Sequence, residues 1–151
     1  MRVLETARLR LRWLRPGDEA FVLELLTDPD FRANVGERGV SDLASAARYL
    51  AEAAAGYARH GLGMHAMELK AGGTVIGMCG LLRRDTHPDV ELGFALLPAA
   101  RRQGYTLEAA AALVRHGLET LGLSRIVAIT APGNSASMQL LARLGFRAAG
   151  L

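Results

Sequence analysis

Val90-Glu91-Leu92-Gly93-Phe94-Ala95-Leu96-Leu97, Pro98-Ala99-Ala100-Arg101-Arg102-Gln103-Gly104-Tyr105-Thr106 and the apolar run that follows form the stretch whose reading decides the fold. Its first part alternates: Val90, Leu92, Phe94 and Leu96 share one face of a strand, while Glu91, Gly93 and Ala95 share the other. Pro98 closes that strand. From there Leu107, Ala110, Ala111, Val114, Leu118 and Leu121 recur at helical spacing, predicting a helix with Gly122 as its C-terminal cap. Strand, glycine-containing loop and helix in that order aim several backbone N–H groups and the positive end of a helix at one point, which makes an anion site. The loop is not a Walker A sequence, because no Gly-Lys-Ser/Thr follows, and not a dinucleotide fingerprint, because Gly104 is its only glycine. Taken alone it also reads as a helix-start turn with solvated arginines. Glu91, on a face with Gly and Ala, suits a general base in a cleft, and equally a solvated strand carboxylate.

Upstream, Arg8-Leu9-Arg10-Leu11-Arg12-Trp13-Leu14 alternates with period two and predicts a half-buried first strand. Pro16-Gly17-Asp18 supplies cap chemistry for a helix carrying Phe21, Val22, Leu25 and Leu26, which Asp28-Pro29-Asp30 stops. Ser41 is placed to cap a second helix striped by Leu43, Ala47, Leu50, Ala54 and Tyr57. Met64 to Leu69 and Val75 to Leu82 flank the hairpin turn Ala71-Gly72-Gly73. Downstream, Arg125 to Thr130 reads as a strand, Pro132-Gly133-Asn134 as a turn into a short helix, and Gly145-Phe146 as the start of one more strand.

The 151 residues and one cysteine, Cys79, predict a single α/β domain spanning 1–151 without a disulfide. No signal peptide or span of about 20 apolar residues is visible, so the expectation is a cytoplasmic protein without a membrane partner. A net charge of +3 favours an anionic ligand but is too small to call for nucleic acid. His60, His65, His87 and His116 lack metal-ligand spacing, and no metal is expected. Cys79, without a histidine near it in sequence, reads as a buried core thiol.

Leu97 to Ala109 together with Asn134-Ser135-Ala136-Ser137-Met138-Gln139-Leu140-Leu141-Ala142-Arg143-Leu144-Gly145-Phe146 resembles the Gcn5-related N-acetyltransferase (GNAT) superfamily. The opening Leu4-Glu5-Thr6-Ala7-Arg8-Leu9-Arg10-Leu11-Arg12 resembles the branch that includes the ribosomal-protein N-terminal acetyltransferases. The resemblance implies a central mixed, mostly antiparallel sheet with helices on both faces. It implies acetyl-CoA as co-substrate and a primary amine, on a protein N-terminus or a small molecule, as acceptor. By the same resemblance, the loop Arg101, Arg102, Gln103, Gly104, Tyr105 and Thr106 holds the pyrophosphate on backbone amides. Arg102 stands where branch members commonly have Gly, and Thr106, whose hydroxyl can donate to the phosphate, stands where the pattern has Gly or Ala. Phe94, Leu96 and Leu97 are implied to pair with the pantetheine arm in a splay beside the strand at Arg125 to Thr130. Asn134 contacts that arm while capping its helix. The catalytic residues implied are Glu91 as base and Ser137 as donor to the departing thiolate. Leu141 occupies the place of the tyrosine acid found outside the branch. A non-catalytic acyl-CoA sensor or partner subunit is the competing reading: a Glu91 open to a cleft supports catalysis, one salt-bridged to an arginine and sealed from the cofactor supports the sensor. Relatives continue past Leu-Gly-Phe through further strands, so the short stretch after Phe146 predicts incomplete C-terminal strands, an edge covered by a second subunit in a homodimer, or a shortened chain.

Overall fold

A computed structural model describes residues 3–84, 88–130 and 133–148. Six strands, β1 (Leu4–Glu5), β2 (Leu9–Trp13), β3 (Met64–Leu69), β4 (Val75–Leu82), β5 (Val90–Leu96) and β6 (Ile126–Val127), lie side by side in sequence order. Every neighbouring pair is antiparallel except β5 and β6, which run parallel. The expected mixed, mostly antiparallel sheet is therefore present. One face carries α1 (Glu19–Leu26), α2 (Pro29–Asn34) and α3 (Leu43–His60), burying Val22, Leu25, Phe31, Ala46 and Leu50 against Ala66 and Met78. The other carries α4 (Tyr105–Arg115) and α5 (Ser135–Arg143), burying Ala109, Ala110, Leu113 and Leu141 against Leu9, Leu11 and Leu92.

Two alternating rules compete in β2. Its odd positions Leu9 and Leu11 are fully buried, as expected, but Arg12 is also buried, at 7% exposure. Arg12 is tolerated inside because Asp18 takes two of its N–H groups at 2.9 Å each and Glu68 takes Nε at 2.7 Å. Asp18 is consequently not the side-chain cap of α1: it also accepts from the Arg15 backbone. The α3 cap is Asp42 rather than Ser41, with Ser45 completing a reciprocal capping box. That shift rotates the buried stripe to Ala46, Leu50 and Tyr57 and leaves Leu43 57% exposed. Tyr57 fixes the far end of α3: its ring stacks on Trp13 at 4.1 Å, and its hydroxyl donates to Met64 O and accepts from Leu14 N.

Five further expectations are corrected. The two-residue β1 precedes the expected first strand, and Asp28 starts rather than merely stops a helix, since its carboxylate caps α2. The helix after Gly104 runs regularly only to Arg115 and widens into a π turn over His116–Thr120, so Leu118 and Leu121 stay exposed and Gly117 is buried instead. Paired structure in the sixth strand covers Ile126–Val127 alone, because the chain diverges from β5 beyond that point. Gly145-Phe146 does not open a strand. Gly145 has φ 93°, its N–H bonds Ala142 O, and the Phe146 N–H bonds Leu141 O, which is a Schellman closure of α5 that consumes the donors a strand would need. Pro132 of the expected turn and His87 of the histidines lie outside the described residues.

Candidate active site

The cleft that matters begins where β6 leaves β5. Leu97 N–H bonds Ile76 O on the β4 side, so the alternation of an antiparallel ladder turns the N–H and C=O of Phe94 and Leu96 toward the opposite edge. There β6 pairs only with Val90 and Glu91. The result is an open V lined by Phe94, Leu96, Ile129 and Asn134, within a continuous cleft of about 1500 Å³ that also reaches Glu91 and Tyr49.

At the mouth of the V the chain makes a 3-10 turn (Pro98–Ala100) and enters α4. Gly104 adopts φ 80° as the N-cap, and an added Cβ would meet Arg8 Nη2 at 3.5 Å. Arg102 is the only described non-glycine residue with positive φ, at 64°. This left-handed geometry explains why glycine suits the position, and it splays successive amides toward one concave face. The backbone N–H groups of Arg102 to Leu107 have no acceptor among the described residues, so the loop presents orphan donors at a helix start. Replacing Arg102 by Gly removes left-handed strain of about 1–2 kcal/mol and adds about 0.5–1 kcal/mol of backbone entropy cost. The expected outcome is a thermal midpoint equal to or slightly above wild type, and a clear drop would refute the strain.

The Arg101 side chain faces away from these amides. It donates to Asp30 at 2.6 Å, to Asp28 at 3.3 Å and to Leu96 O at 3.2 Å, while its own N–H bonds Pro98 O. Its guanidinium thus ties α2 to the end of β5 and is not free for a phosphate. Behind the loop stands a residue that the sequence reading placed in a motif without a role. Arg8 donates to Gln103 O at 2.9 Å and to Glu108 at 2.7 Å, and its guanidinium lies 4.2 Å over the Tyr105 ring. Burial acts to raise the Glu108 carboxyl, but donation from Thr6 and Arg8 outweighs it and holds the group below its ordinary range.

Glu91 is buried at 9% exposure on the cleft wall, on the strand face opposite Val90 and Leu92. Arg84 Nε donates to its Oε2 at 2.9 Å, and Oε1 has no donor among the described residues. The carboxylate is thus arginine-paired, yet it still borders the cleft. Across the V, Asn134 caps α5 by accepting from Ser137 N at 3.3 Å, which leaves its amide N–H groups available. Ser137 also lines the cleft.

Cys79 and His65 lie off the cleft lining, whereas His60 borders it. Cys79 is fully buried, which pushes its thiol up to about 12, and the described residues contain no metal-holding cluster. His65 is buried with Nδ1 unpartnered, and desolvation, aided by nearby His116, pulls it down to about 4. No helix among the described residues is long and apolar enough to cross a membrane.

A sheet splayed at a parallel pair, with orphan amides at its mouth, is the arrangement that the GNAT resemblance implies for holding an acyl-CoA. The chain matches the acetyltransferase (GNAT) domain over residues 8–147, and it belongs to that family. It is 28% identical to the uncharacterized N-acetyltransferase YoaA of Bacillus subtilis (strain 168), over 99% of this chain and 85% of that protein. The crystal structure of an acetyltransferase from Agrobacterium tumefaciens str. C58 superposes with TM-score 0.84 at 31% identity, covering 96% of this chain and 83% of that one. Spermidine N-acetyltransferase from Vibrio cholerae, solved with CoA and spermine, shares the fold at TM-score 0.79 and 18% identity, covering 94% and 82%. As a member of that family, the protein is an acyltransferase that uses acetyl-CoA.

Proposed function

We propose that the protein transfers the acetyl group to a primary amine, with Glu91 as the base. The observation that carries this reading is a buried carboxylate on the cleft wall, held by Arg84 through one oxygen with the other left unengaged. Bound acetyl-CoA supplies an activated thioester. Amides of Arg102 to Leu107 take the pyrophosphate, with Gly104 and Tyr105 shaping the approach and Arg8 bracing the loop from behind. The exposed edge of Phe94 and Leu96 orients the arm, and the Leu96 N–H polarises the carbonyl. Asn134 donates from the opposite wall. Glu91 Oε1 accepts the proton of the attacking amine, directly or through one water, as the N–C bond forms and the C–S bond breaks. Ser137 is placed to donate to the leaving sulfur, which needs little help because a thiol of pKa about 8.5 leaves readily near neutral pH.

Release of free thiol from acetyl-CoA, followed while primary amines are added, tests the reading. Amine-dependent release with an acetylated amine as product is expected. Thiol release independent of any amine, or acetylation of a hydroxyl acceptor instead, contradicts it.

A further inference from the structure

The acceptor end of the cleft carries more positive charge than an amine needs. Arg38, between α2 and α3, and Arg83 and Arg84, just past β4, all line it. Arg38 and Arg83 have no carboxylate partner among the described residues. Arg84 spends only Nε on Glu91, leaving both terminal nitrogens of its fork without an acceptor there. The half-buried Tyr49 hydroxyl on α3 lies within electrostatic range of Arg38 and Arg84, so groups from two separate elements converge on one region. Among the described cleft carboxylates, Asp30 is bonded to Arg101 and Glu91 to Arg84, which leaves Glu52 as the one unpaired acid of that set.

Building on the amine-transfer reading, we propose that the acceptor carries a carboxylate a few bonds from the amine it presents to Glu91. One guanidinium, Arg84, touches the proton-accepting carboxylate with Nε and turns its planar fork outward, which matches a carboxylate bidentately. An amine delivered to Glu91 therefore brings its neighbouring substituent against Arg84 and Tyr49, with Arg38 and Arg83 around them. A polyamine does the reverse, setting a second ammonium against guanidiniums with Glu52 alone to compensate. A free amino acid and a peptide with an acidic first or second residue offer the same chemistry.

Initial rates with acetyl-CoA are compared for free aspartate, a peptide beginning Ser-Asp-Glu, its counterpart beginning Ser-Lys-Lys, and spermidine. At least one of the two carboxylate acceptors is expected to exceed the lysine peptide and spermidine by about tenfold in kcat/KM, with the margin shrinking as salt rises. Which of the two leads identifies a free amino acid or a protein terminus as the source. Arg38→Ala is expected to raise KM for the preferred acceptor about tenfold, more than it changes kcat, and to narrow the gap. Equal or better rates with spermidine or the lysine peptide overturn the inference while leaving amine transfer intact. Affinity of the N-acetylated peptides for the CoA-saturated protein is read separately: equal affinity for the acidic and lysine forms overturns the inference even where turnover is undetected. Selective binding of the acidic product without turnover on any acceptor sustains the inference and overturns the transfer reading.

Discussion

In a Glu91→Gln variant, kcat for acetyl transfer is expected to fall by about 10²–10⁴-fold while CoA affinity stays near wild type, which is the size of effect that losing a positioned general base produces. The substitution is close to isosteric, and the new amide oxygen still accepts from Arg84 Nε, so the ion-pair site keeps its shape. Only proton acceptance is removed. Glu91 also lies far along the cleft from the orphan amides of Arg102 to Leu107, on the face shared with Gly93 and Ala95. Its loss therefore spares cofactor binding. The limb of the pH–rate profile that reports the base should disappear with the activity, and a profile identical to wild type removes Glu91 from the chemistry.

Gly104→Glu is expected to abolish stabilisation by CoA. At 100 times its dissociation constant a ligand stabilises a fold by about 2.7 kcal/mol, which for a chain of this size moves the thermal midpoint by roughly 5–10 °C. Gly104 sits at φ 80° as N-cap of α4, so any side chain there is strained, and an added Cβ lies 3.5 Å from Arg8 Nη2, so a carboxylate there adds negative charge at the loop and competes for the arginine that braces it. Gly104→Ala separates the two effects. It retains the strain of about 1–2 kcal/mol but adds no charge, and should keep most of the CoA-dependent shift. An undiminished shift in Gly104→Glu places the cofactor elsewhere.

Much of this architecture is legible in the sequence because each major element carries its own period. The alternation from Val90 to Leu96 fixes which face Glu91 shares, and the Gly104 punctuation locates the start of α4. What is not legible depends on partners distant in sequence. Burial of Arg12 requires Asp18 and Glu68, and the Arg8 brace requires Gln103, Tyr105 and Glu108, about a hundred residues away. The commitment of the Arg101 side chain to Asp28 and Asp30 could not be read from the loop motif, because those acids lie about seventy residues upstream. Arg84, just past β4, pairs with Glu91 on β5, seven residues on, and a charge pattern alone does not orient that pair. The Schellman closure at Gly145 and Phe146 illustrates a local ambiguity: a glycine followed by an aromatic residue ends a helix as readily as it opens a strand.

Hydrogen exchange at single-amide resolution, with and without CoA, tests the central claim most directly. The account holds that one ligand occupies both the helix-start amides and the unpaired edge of β5. Added CoA should slow exchange at Arg102 to Leu107 and at Phe94 and Leu96 together, while the β2–β3 ladder remains as it was. Unchanged exchange at these amides on saturation with CoA, or protection confined to α3 and the opposite face of the sheet, would contradict it.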